Sequence, residues 1–166
     1  MKHVILFCFF FFLCLKIAEA QTNANIAGTE NVLVVYRAQV NESDTISQGV
    51  KNYYQNVRGI PASNIVPGLN LPDSTQITIN GVTHWVGIRQ GTDLVRDLDN
   101  HTSGTWYASE HAWKYFYQYI ANPIKNYITA NNLTSIRYIV LCKGVPFKIQ
   151  AGADSGSVIC NLAVDG

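Results

Sequence analysis

The chain has 166 residues, 48% of them hydrophobic, with 12 lysines and arginines against 11 aspartates and glutamates and a net charge of +1. The charge is balanced and without a basic cluster, so the footprint that a nucleic-acid backbone requires is missing and nucleic acid is not an expected partner. The length suits one domain with a real core.

Met1, Lys2 and His3 precede a 12-residue apolar run, VILFCFFFFLCL from Val4 to Leu15, and Ala18, Glu19 and Ala20 close the segment. A basic start, a short apolar stretch and an A-x-A site describe a secretory signal peptide over residues 1–20, with Gln21 as the mature N-terminus. A spanning helix needs about 20 apolar residues. The run is too short to be an anchor, and neither Cys8 nor Cys14 has the small-residue context of a lipidated cysteine. Cleavage removes Lys2, Lys16 and Glu19, leaving 146 residues with 10 basic and 10 acidic side chains. The expected location is secreted or periplasmic, in the cell envelope, with no stable membrane span. Of the four cysteines only Cys142 and Cys160 remain. They could pair, for about 3 kcal/mol, but are too few for a disulfide scaffold. Acceptor sequons at Asn41, Asn100 and Asn132 matter only in a host that glycosylates them.

Residues 21–30 are small and polar and read as a flexible leader. Val32 to Tyr36 is apolar on both faces, the pattern of a strand covered on both sides. Ser43 or Asp44 can cap a following helix whose apolar positions are Ile46, Val50, Tyr53, Tyr54 and Val57, with Gly59 as a left-handed C-cap and Pro61 as a stop. Residues 64–71, NIVPGLNL, predict a second strand weakened by Pro67 and Gly68. Residues 72–107 interrupt the alternation and read as an insertion. Asn80 and Gly81 there mark a β-hairpin, and GTDLVRDLDNHTSGTW reads as a short helix or loop. Ser109 opens a helix with Trp113, Phe116, Tyr117, Ile120, Ile124, Tyr127 and Ile128 on one face, an aromatic stripe expected in the core. Pro123 predicts a kink, or a second helix capped by Asn122. IRYIVLC, 136–142, is the next central strand, and VICNLAV, 158–164, another.

This order predicts an α/β fold over residues 31–166: a three-layer sandwich with a mainly parallel, Rossmann- or flavodoxin-like sheet and a hairpin insertion. Because the chain stops directly after an apolar strand, it is expected to be the N-terminal part of a longer protein.

NVLVVY (31–36), RGIPASNI (58–65), LNLP (69–72), PIKNYI (123–128) and IRYIVLCKGVPFKI (136–149) together resemble a family of secreted bacterial proteins of unknown function, met in genomes that encode exosortase-type protein-sorting systems. The resemblance covers most of residues 31–163 outside the insertion. It implies an envelope-associated domain without an established activity. The sequence departs from that pattern at Cys142, where the family usually has Thr. It departs again at Ile159, Cys160 and Asn161, where the family usually has an acidic pair.

Ligands of open parallel sheets bind beyond the carboxyl ends of the strands. That edge would gather Arg37, Asn41, Ser43 and Asp44 after the first strand, and Lys143 and Gly144 after the later one, with Arg37 and Lys143 holding an anion or peptide. The alternative is that Ser43 and Asp44 only cap the helix while the basic residues are solvated. Gly144 and Pro146 read as a corner rather than the neighbourhood of a reactive Cys142. A cysteine peptidase of the gingipain or caspase type remains the runner-up function, using Cys142 or Cys160 with His84, His101 or His111 and further residues beyond Gly166. No local signature surrounds either cysteine. A purely structural domain is the third reading. No metal or cofactor is expected, because H-E-x-x-H, C-x-x-C, a P-loop and G-x-G-x-x-G are all missing.

Overall fold

A computed structural model describes residues 28–38, 45–89, 93–103, 105–150 and 152–153. In chain order the elements are β1 (Val32–Val35), α1 (Thr45–Asn56), β2 (Ser74–Ile79), β3 (Val82–Arg89), β4 (Leu94–Asp97), β5 (His101–Thr102), β6 (Thr105–Trp106), α2 (Glu110–Phe116), α3 (Asn122–Ala130), β7 (Tyr138–Leu141), β8 (Lys148–Ile149) and β9 (Gly152–Ala153). The expected strand 158–164 lies outside the described residues.

β1 is built from β-branched and apolar residues that fit a pleated, buried surface. It pairs in parallel with β7, from Val32 opposite Tyr138 to Val35 opposite Leu141. Leu33 and Val35 enter the main core, while Val34 enters a second cluster with Ile60 and Cys142. β1 is therefore covered on both faces, as its composition predicts. β7 is not a central strand among the described residues: Tyr138 and Ile139 are exposed. The expected second strand shrinks to two parallel bridges, Val34 to Ile65 and Arg37 to Leu69. Pro67 has no N–H to give a ladder, which explains the break between them.

The predicted three-layer sandwich with a mainly parallel, Rossmann-like sheet is not what forms. Among the described residues there are three small sheets: the parallel pair β1-β7, a mixed sheet in the order β2-β3-β4-β8, and a sheet in the order β5-β6-β9. Only β1–β7 and β4–β8 run parallel, the other ladders being antiparallel. Stretch 72–107, read as an insertion, supplies most of this pairing. Antiparallel neighbours need only a two-residue turn, whereas a parallel pair needs a long crossover. Asn80 (φ +50) and Gly81 (φ +81) provide that turn, so β2 folds directly onto β3 as the hairpin signal predicts. The described part of GTDLVRDLDNHTSGTW forms not a helix but β4, β5 and β6 with turns between them. Leu94 and Val95 are buried and align with Arg89 and Ile88 on one side and with Lys148 and Ile149 on the other.

Among the described residues, two α-helical bodies pack on these sheets. α1 rests on β1 through Ser47, Val50 and Tyr54, whereas Ile46, Tyr53 and Val57 are exposed, so the buried face is turned from the predicted stripe. Ser109 caps α2 by accepting the Ala112 N–H at 3.0 Å. α2 and α3 are one continuous run joined by a π-helical turn, Tyr117–Ala121, in which the Asn122 N–H reaches Tyr117 O. Pro123 denies a hydrogen bond to the preceding turn and its ring crowds the carbonyl there, and one wide turn relieves both. Asn122 makes no side-chain cap, contrary to expectation. Tyr115, Phe116, Ile120 and Ile124 pack on Ile77, Val86 and Val95, while Trp113 and Tyr117 of the predicted stripe face solvent. No helix among the described residues is long and apolar enough to cross a membrane.

Candidate functional site

The carboxyl ends of the parallel pair β1 and β7 carry the cluster of interest. β1 delivers Arg37 just past its end, with the Arg37 N–H donating to Ser47 Oγ of α1 at 2.9 Å. The guanidinium is buried and donates through Nη2 to Leu71 O at 2.8 Å and to Asp73 Oδ1 at 2.7 Å. Past β7 the chain turns at Gly144 (φ +95), where the Val145 N–H bonds Cys142 O at 3.0 Å. A β-carbon on Gly144 would lie 3.8 Å from Ser47 Cβ and 3.9 Å from Arg37 Cδ, so backbone conformation, not crowding, requires glycine.

Lys143 and Gly144 converge on one carboxylate. Asp93 accepts from Lys143 Nζ at 2.9 Å through Oδ2 and from the Gly144 N–H at 3.2 Å through Oδ1. Lys143 is half exposed, while Asp93 is mostly covered. Arg37, Lys143 and Gly144 thus meet at the strand ends, with each cation already facing a carboxylate. Asp73, Asp93 and Ser47 are the partners that sequence reasoning did not find. They lie 10 to 51 residues from their partners, and no local pattern announces them. Asn41, Ser43 and Asp44 lie outside the described residues.

Cys142 is buried against Val34 and Ile60. Burial pushes its thiol up to about 11, opposed in part by the charge of Lys51. A thiol held neutral at neutral pH is a poor nucleophile. The turn Lys143–Gly144 is accordingly a corner that follows β7 and the buried Cys142. Cys160 lies outside the described residues. His101 is exposed and stacks on Trp106, with ring centroids 4.5 Å apart. His84 and His111 stack on one another beside Asp97.

Residues of RGIPASN and LNLP have structural duties. Asn64 of RGIPASN is buried and donates through Nδ2 to Glu30 O at 2.9 Å and Val32 O at 3.1 Å, tying the loop to the start of β1. Gly59 (φ +66) ends α1 in the left-handed region, as expected. Pro72 of LNLP accepts from the buried Tyr115 hydroxyl at 2.5 Å, and burial raises the pKa of that phenol.

No family model matches the chain, and comparison with curated proteins and with solved structures finds no match to either.

Proposed function

We propose that this chain is a secreted domain of the cell envelope, akin to the exosortase-associated family its motifs resemble, and that it binds a carboxylate-bearing peptide at the ends of β1 and β7. One observation carries the reading: a side-chain carboxylate, Asp93, occupies a seat formed by the Lys143 ammonium and the Gly144 N–H. A cation and an oriented backbone N–H form a common anion seat. A peptide carboxylate that displaces Asp93 would inherit both contacts.

The test is a 15N-NMR titration with a short peptide bearing a free C-terminal carboxylate and with its C-terminal amide. The Gly144 amide should move with the acid and not with the amide. Lys143→Ala should weaken binding about tenfold, the loss of one charge-assisted contact. Asp93→Ala should tighten it, by removing the internal competitor. A Gly144 amide unmoved in both wild type and Asp93→Ala would defeat the proposal. Export is tested separately, by the intact mass of the protein recovered from the periplasm or medium, which should begin at Gln21.

A further inference from the structure

His84 on β3, Asp97 on β4 and His111 in the first turn of α2 come from three elements, and none is in a recognisable motif. Folding nonetheless brings one nitrogen of each imidazole and one carboxylate oxygen within 4.8 Å of one another. His84 Nδ1 lies 2.8 Å from Asp97 Oδ2. The two rings stack with centroids 4.0 Å apart and an interplanar angle of 16°. Asp97 is almost wholly buried, His111 is buried, and about a quarter of the His84 side chain reaches solvent.

From this we infer that His84, Asp97 and His111 form a site for a divalent transition-metal ion of the zinc type, contrary to the expectation that the chain binds no metal. Two imidazoles and a carboxylate are a donor set that suits such an ion. With metal–ligand bonds of ~2.0–2.1 Å, neighbouring ligands in a coordination shell stand about 3.0–3.4 Å apart. The His84 to Asp97 separation is already within a few tenths of an ångström of that edge.

The surroundings are those of oriented ligands. Asp97 Oδ1 accepts the Asp99 N–H at 3.0 Å, and the Ser109 hydroxyl donates to Oδ2, so the carboxylate is held from behind. His111 Nε2 faces Val82 O at 3.0 Å. A carbonyl only accepts, so Nε2 carries hydrogen and the neutral ring has its lone pair on Nδ1. A backbone carbonyl on the other ring nitrogen is the usual partner of a metal-bound histidine. The near-parallel stack sets the two lone-pair planes side by side, so loading requires one ring to turn. His84, the partly exposed one, has the room. Three protein ligands leave a position open to water on that exposed side. The inference is independent of the strand-end peptide site.

The experiment is a calorimetric titration of the untagged, EDTA-treated protein with zinc chloride, paired with NMR of the imidazole nitrogens. Binding should be one to one and should raise the melting temperature. The ring signals of His84 and His111 should shift, while those of His101, the internal control, should not. His84→Gln and His111→Gln should each lower the affinity at least tenfold, with circular dichroism confirming that each variant is folded. Absence of binding by folded wild-type protein would overturn the inference, as would unmoved His84 and His111 signals at saturation or undiminished affinity in both folded variants. The ring signals of wild type decide the matter alone if neither variant folds.

Discussion

Cys142 shows how much one side chain's surroundings decide. Gly144 and Pro146 already read as a corner in the sequence, and the sulfur is packed with Val34 and Ile60, where a thiolate has little solvation. Because the folded pKa is raised to about 11 from an ordinary value of 9.0, the fold binds the thiol proton more tightly than the unfolded chain does. The resulting stabilisation is complete below pH 9 and is lost as pH rises toward 11, up to about 3 kcal/mol. Urea midpoints at pH 8 and pH 10.5 should therefore fall further for wild type than for Cys142→Ala. Equal losses in the two proteins would remove Cys142 from the account. The same residue teaches why a nucleophile is hard to read from sequence: adjacency to lysine is visible, while desolvation by residues some 80 to 110 positions away is not.

At the level of elements, turns and caps were legible and pairings were not. Asn80–Gly81, Gly59 and Ser109 act through their own backbone conformation or a hydrogen bond three residues away, so local sequence suffices to place them. Leu94 to Asp97 instead became β4 because two partners, β3 and β8, were in place to bond it. The α1 stripe misled for a related reason: five apolar positions lay on the predicted face, yet the contact with β1 selected Ser47, Val50 and Tyr54. Asn64 is the element-scale clasp, joining the 3-10 turn Ala62–Asn64 to the entry of β1. Asn64→Ala leaves two carbonyls without their side-chain donor and should cost about 1–3 kcal/mol in denaturant melts. Asn64→Asp should cost more, because it sets a carboxylate against those same carbonyls. A destabilisation by Asp no larger than that by Ala would argue that the two hydrogen bonds contribute little.

Across the whole molecule, β1 is the wall between two apolar clusters, one beneath the α2–α3 run and one beneath α1. Val34 is fully buried in the second cluster, so Val34→Asp places an unpaired carboxylate there at a cost of several kcal/mol, enough to unfold a domain of this size. A soluble Val34→Asp protein with the melting temperature of wild type would show that β1 is not buried in this way. The candidate sites divide along the same line. Arg37, Lys143 and Gly144 could be named in advance because Arg37 and the Lys143–Gly144 pair directly follow apolar runs, and the ends of parallel strands gather such residues. His84, Asp97 and His111 were invisible as a group, since their meeting depends on how β3, β4 and α2 pack. Sequence by itself determined the doubly buried β1, the hairpin turn and the α2 cap, because these follow from hydrophobic patterning and local backbone preference. Only the tertiary structure decided the division into three sheets, the carboxylate partner of each cation and the histidine cluster. Those depend on which distant segment reaches a given hydrogen-bonding edge, a competition that residue-by-residue periodicity does not record.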